Sequence, residues 1–235
     1  HRPKRNPDMT KTPYPGKFIV YEGMVGAGKS TQTKLLVQRL KKEGKRVAMF
    51  DFPQYGKKSA GMVEEYLSGK YGSLKEVGPY QASIFYAVDR YDASFEIRKT
   101  LMQGTIIVSD RYIGSNVGHQ GSKIISISTR KKFFSWLYDL EYDIFQAPKP
   151  NKSFLLRVPP RVAQRLCENK KRRKTKKTDI HEENIQHLQN AEQSYLHAAR
   201  LFPKDFTVIE CMKGNRLLSR REIHEKIWKE VKKLL

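Results

Sequence analysis

Apolar positions along this chain follow two rhythms. Short runs rich in β-branched and aromatic residues predict strands, and longer stretches with apolar residues every three or four positions predict helices. The strand-like runs are KFIVYE (17–22), RVAMFDF (46–52), TIIVSDRY (105–112), SFLLRV (153–158) and FTVIEC (206–211). The first helix runs from Lys29 to about Glu43, with Leu35, Leu36 and Leu40 on its inner face and Gly44 as its stop. A short helix falls within 59–72, and a long one is opened by Pro79 and closed by Gly104. Further helices cover 130–145, Arg161 to about Glu168, 179–201 and 219–235, whereas the segment 109–121 reads as a loop after the third strand. Strands alternating with helices predict an α/β fold in three layers, a five-stranded parallel sheet flanked by helices. No internal repeat or long linker interrupts the pattern, so 17–235 reads as one domain.

Charge changes this picture in two places. The 235 residues carry a formal net charge of +22, which implies a polyanionic partner, either nucleotide phosphates or non-specifically bound nucleic acid. Residues 1–16 are basic and Pro-rich and read as a disordered tail. Residues 170–177, KKRRKTKK, place a basic, lid-like insert at about 168–180. No stretch reaches the roughly 18 to 20 apolar residues of a membrane helix, so no membrane partner is expected. Two cysteines, Cys167 and Cys211, cannot build a disulfide framework, and free thiols point to the cytoplasm.

The most specific motif is GMVGAGKST, Gly23 to Thr31. Gly23-x-x-x-x-Gly28-Lys29-Ser30 is a complete P-loop in its required context, after a strand and before a helix. Backbone N–H groups along Gly26, Ala27, Gly28, Ser30 and Thr31 would cradle phosphates at the helix N-terminus. Lys29 would reach the β- and γ-phosphates, and the Ser30 hydroxyl would ligate Mg²⁺. ATP or GTP binding follows from this; what receives the phosphate does not.

Three further stretches address the acceptor: DFPQYG (51–56), YAVDRY (86–91) and SDRYIGSNVGHQG (109–121). The first and third follow predicted strands, and ligands of open α/β sheets bind at the carboxyl ends of strands. Together with the P-loop these stretches resemble the thymidylate kinase family, from about Lys17 to the C-terminus. The resemblance implies Mg-ATP as donor, dTMP as acceptor and a homodimer. It implies a cis bond at Phe52-Pro53, Tyr86 stacked on thymine, and Arg90 hydrogen-bonded to the base from the same helix face. Phe52 and Gln54 would border the acceptor. Arg111 would hold the acceptor phosphate, with Asp110 serving Mg²⁺ and Lys29. Asn116, His119 and Gln120 would edge the base and sugar. Since Gly26 brings no arginine to the P-loop, the resemblance assigns catalytic arginines to the insert, Arg172 and Arg173, and a metal-side acid to Glu182.

The resemblance breaks at three positions: Val25, Gln54 and Arg157 stand where the family has an acid, an arginine and an acid. A lost charge-assisted hydrogen bond costs about 1.5 to 3 kcal/mol. Another nucleoside-monophosphate or deoxynucleoside kinase, and a non-catalytic P-loop protein binding nucleotides or nucleic acid, therefore remain open at this point. Asp89-Arg90 could equally be a surface ion pair, and Asp110-Arg111 a strand-end salt bridge.

Overall fold

A computed structural model describes residues 13–73, 76–171 and 185–235. Five parallel strands, β1 (Phe18–Glu22), β2 (Val47–Asp51), β3 (Ile106–Asp110), β4 (Lys152–Arg157) and β5 (Phe206–Glu210), form one sheet in the order β2-β3-β1-β4-β5. β1 lies at the centre with all five residues buried. Its alternation feeds two cores: Ile19 and Tyr21 face one side of the sheet, Phe18 and Val20 the other. On the first side sit α1 (Lys29–Lys42) and α8 (Arg220–Val231), burying Leu36, Leu40, Ile227 and Trp228. On the second sit α3 (Pro79–Met102) and α5 (Ile127–Tyr138), burying Ile97, Leu101, Phe133, Phe134 and Leu137. Each such side chain contributes about 1.5 to 3 kcal/mol of transfer free energy. Pro79 starts α3, and Ser219 with Glu222 forms a capping box at the start of α8.

Four departures from the sequence reading have physical causes. Residues 109–121 are not a loop throughout: β3 runs to Asp110, α4 spans Ile113–His119, and a 3₁₀ turn (Gly121–Lys123) begins at the end of the segment. The glycines that suggested a loop are needed for close packing instead. A Cβ on Gly118 would lie 2.1 Å from the Tyr195 ring, and one on Gly114 would lie 2.8 Å from the Glu22 carboxyl. The helix expected at 130–145 begins at α5, three residues earlier, where Ser126 accepts the Thr129 N–H at 3.4 Å. It ends in a π-helical segment, Asp139–Ile144. A hairpin of β6 (Met212–Lys213) and β7 (Arg216–Leu217) turns at Gly214, whose φ is 58°. The tail is anchored before residue 17: Tyr14 packs on the second core, and the Gly16 N–H donates to Leu101 O at 3.0 Å.

α2 (Gly61–Leu67) follows a 3₁₀ turn, Lys58–Ala60. α6 (Pro160–Lys171) continues past Glu168 into the basic run, and α7 begins at Ile185 and ends at Leu201. Arg172, Arg173 and Glu182, and with them most of the expected lid, lie outside the described residues, as do residues 1–12 of the tail.

Candidate active site

Three adjacent strands each end in an acid: Glu22, Asp51 and Asp110. Parallel register pairs Asp51 with Asp110 and Tyr21 with Asp110, so the three carboxylates share the carboxyl edge of the sheet. A cleft of about 890 Å³ opens there. Residues 25–31 line one side, and Phe52, Tyr86, Arg90, Arg111, Asn116, His119 and Gln120 line the other.

The phosphate loop is built on backbone conformations that glycine favours. Gly23, Gly26 and Gly28 have φ of 135°, 86° and 88°. At Gly26 space forbids a side chain as well: a Cβ would lie 2.3 Å from Ala163 O and 2.8 Å from Cys167 Sγ, both on α6. Gly28 is the N-cap of α1, with no side-chain cap and no acid in the first turn, so the helix start is left to an anionic ligand. Lys29 is buried, and its Nζ donates to Gly23 O and Met24 O, each at 2.9 Å. Burial, and secondarily the Arg111 guanidinium, push its pKa down to about 7. Gly23 itself does not line the cleft; its carbonyl holds Lys29.

On the facing side the Phe52–Pro53 bond is cis, as expected, and Phe52 is buried against Tyr112 with ring centroids 5.5 Å apart. Gln54, expected to border the acceptor, is not among the residues that line the cleft. Its backbone N–H donates to Asp89 Oδ2 at 2.9 Å, its side-chain amide donates to Asp89 Oδ1 and O at 3.2 Å each, and it accepts from Lys57 Nζ at 2.6 Å. Asp89 is thereby a buried anchor rather than the surface partner of Arg90. Arg90 is also buried and is clamped by Glu141 of the π-helical segment, its Nε lying 2.9 and 3.0 Å from the two carboxylate oxygens and its Nη2 closer still. Arg157, the third departure, makes surface ion pairs with Glu192 and Glu210 and does not line the cleft.

α4 supplies the rest. The Asn116 side-chain amide donates to Ser83 O at 3.2 Å, tying α4 to α3. Gln120 is buried in the lining, with its Oε1 lacking a hydrogen-bond partner among the described residues. His119 bridges two elements, with Nε2 3.3 Å from Arg111 Nη1 and Nδ1 3.4 Å from His187 Nε2 on α7. Asp110 Oδ1 is buried and equally without a partner among the described residues. That anionic oxygen and the exposed Ser30 hydroxyl share the cleft and are hard ligands suited to Mg²⁺.

Four polar residues near the site escaped the sequence reading: Glu22, Asp51, Glu141 and His187. Burial raises Glu22 to a pKa of about 7, and burial followed by the neighbouring Asp110 raises Asp51 to about 6. A signal for the first two was present: FIVYE, VAMFD and IIVSD are three apolar runs that each stop on an acid. Glu141 and His187 had none, because nothing local distinguishes a charge on an amphipathic helix from one that turns inward.

A sequence model of the family described as Thymidylate kinase matches residues 21–227. A thymidylate kinase of Plasmodium falciparum is 31% identical over 156 residues, covering 66% of this chain and 68% of the relative. A probable thymidylate kinase of Thermococcus onnurineus is 30% identical over 217 residues, covering 89% and 94%. Among solved structures, thymidylate kinase from Candida albicans aligns with a TM-score of 0.69 over 93% of this chain and 92% of that one, at 21% identity, a likeness of fold.

Proposed function

Since the chain belongs to the thymidylate kinase family, we propose that its cleft transfers the γ-phosphoryl group of ATP in line to dTMP, giving dTDP and ADP. One observation carries the reading: the phosphate loop and a set of cationic, aromatic and amide side chains line a single cleft. An oxygen of the dTMP phosphate forms the new bond to Pγ as the bond from Pγ to the β-phosphate oxygen breaks. The attacking phosphate is already anionic, so the protein's task is positioning and charge compensation. Loop N–H groups and Lys29 hold the β- and γ-phosphates, and Arg111 holds the acceptor phosphate. Tyr86, Arg90, Asn116 and Gln120 receive the base. Ser30 and Asp110 would hold Mg²⁺, which supplies neutralisation of phosphate charge when bound. Arg172 and Arg173 are assigned the transferring group, and Glu182 the metal side, on the family resemblance. The test is ADP release from Mg-ATP with dTMP, dUMP, dCMP, UMP, AMP, GMP and thymidine in parallel. Turnover is expected to be highest with dTMP and to fall by about 10² to 10³-fold in Lys29→Ala. Equal silence with every acceptor would overturn the reading.

The homodimer rests on α3. Ile84, Val88, Tyr91 and Phe95, spaced by four, three and four residues, are 42%, 41%, 42% and 57% exposed on one face. Sedimentation should give twice the 27.4 kDa chain mass, and Phe95→Glu should return the monomer. Both cysteines are free and buried, which supports a cytoplasmic setting. No described helix is long and apolar enough to cross a membrane. The charge of +22 supports weak, salt-sensitive binding to nucleic acid as a secondary property.

A further inference from the structure

Arg111 has a backbone conformation that an arginine rarely adopts. Its φ is 72°, in the left-handed region, at the junction of β3 and α4. Such a conformation persists only where its surroundings hold it. Here the holding groups come largely from β1. The Arg111 N–H donates to Tyr21 O at 2.9 Å, and Ser109 Oγ donates to Arg111 O at 2.7 Å. The next residue, Tyr112, is the N-cap of α4 and has no side-chain cap of its own. Its N–H donates to Glu22 Oε1 at 2.9 Å, and Ser115 Oγ donates to Glu22 Oε2 at 2.7 Å. One fully buried carboxylate, ninety residues away in sequence, therefore caps this helix from another strand. Gly114 lets α4 descend onto it, since a Cβ there would strike the carboxyl.

We infer that Glu22 is a positioning residue that couples the two halves of the cleft, capping α4 from the strand that enters the phosphate loop and so fixing the turn that presents Arg111. The residue after Glu22 is Gly23, whose carbonyl receives Lys29. The strand end that sets the donor lysine thus also sets the acceptor arginine. This rests on the reading of Arg111 as the acceptor-phosphate ligand.

The experiment is steady-state kinetics of the full chain with dTMP and ATP varied separately, for Glu22→Ala, Glu22→Gln, Arg111→Ala and the double variant Glu22→Ala/Arg111→Ala. Glu22→Ala is expected to raise KM for dTMP by about tenfold or more while KM for ATP moves less than about threefold. Glu22→Gln can accept from Tyr112 and donate to Ser115, so it should stay within about threefold of the parent. The double variant should be no worse than Arg111→Ala, because Glu22 acts through that arginine. Should Glu22→Ala not fold, Glu22→Asp, one methylene too short for both contacts, carries the same dTMP-selective expectation. A fall in melting temperature with KM for dTMP unchanged, or fully additive losses in the double variant, would overturn the inference. If Arg111→Ala itself leaves KM for dTMP unmoved, the failure lies in the assignment of Arg111; if it raises KM while Glu22→Ala and Glu22→Asp do not, the failure is that of Glu22 alone.

Discussion

The two sides of the cleft are made in opposite ways. The side read as the donor's is one continuous segment, Val25 to Thr31, which would hold phosphates mostly through backbone N–H groups. The side read as the acceptor's is gathered from the turn after β2, α3, the end of β3 and α4, it presents side chains, and β1 and the π-helical segment hold those side chains from behind. Backbone recognition needs only glycines where φ is positive and a helix that starts there, so it is written locally. Side-chain recognition needs each group held by another, and the holding partners are remote. Arg90 and Glu141 are 51 residues apart, and Glu22 and Tyr112 are 90 apart.

The contrast breaks most sharply at Glu141. Glu141→Gln leaves the Arg90 guanidinium buried with a neutral partner, and loss of one member of such a pair costs about 3 to 5 kcal/mol. A large drop in melting temperature is expected, with dTMP turnover falling and the affinity for ATP retained. The double variant Arg90→Met/Glu141→Leu should recover most of the stability and none of the dTMP preference over dCMP. Recovery of both would mean that the pair serves only the core.

This asymmetry also explains what the sequence made legible. Strand order aside, the five strands and the main helices follow from periodicity, and the P-loop follows from its motif. The acceptor side is readable only through resemblance, and Tyr86, Arg90, Arg111, Asn116, His119 and Gln120 line one cleft. What could not be read was which way a polar side chain turns. Gln54 sits one residue beyond Pro53, a lining residue, yet points its amide at Asp89. Glu141 lies in DLEYDI among other acids, and only the π-helical turn makes it the one that is fully buried. The helix at 113–119 was hidden because glycine marks both loops and close contacts.

A smaller effect sharpens the donor side. Burial, and secondarily Arg111, push the Lys29 pKa down to about 7, below its ordinary value. Phosphate oxygens around its ammonium favour the charged form and raise that pKa again. ATP binding between pH 7 and 8 should therefore take up protons, at most about one per site from this group. Calorimetric titration in buffers of different ionisation enthalpy reads the number directly. Lys29→Met should remove the larger part; uptake that survives it unchanged would move the proton to Glu22 or Asp51, the other groups raised near neutrality.

The smallest effect tests the acceptor side where resemblance and geometry disagree. If Gln54 stood in for a phosphate-gripping arginine, Gln54→Ala would raise KM for dTMP severalfold at little cost in stability. Its geometry argues the reverse. The side chain donates twice to Asp89 and accepts from Lys57, outside the cleft lining, while its backbone N–H keeps Asp89 Oδ2 in either case. Truncation should thus cost about 1 to 2 kcal/mol in thermal or denaturant unfolding, the net worth of a few buried hydrogen bonds. KM for dTMP should stay within about twofold, because the removed atoms do not line the cleft. A tenfold rise in KM with unchanged stability would show that the loop rearranges around dTMP and returns Gln54 to the acceptor. The acceptor side would then differ from the donor side in a further respect, being completed by its ligand rather than by its fold.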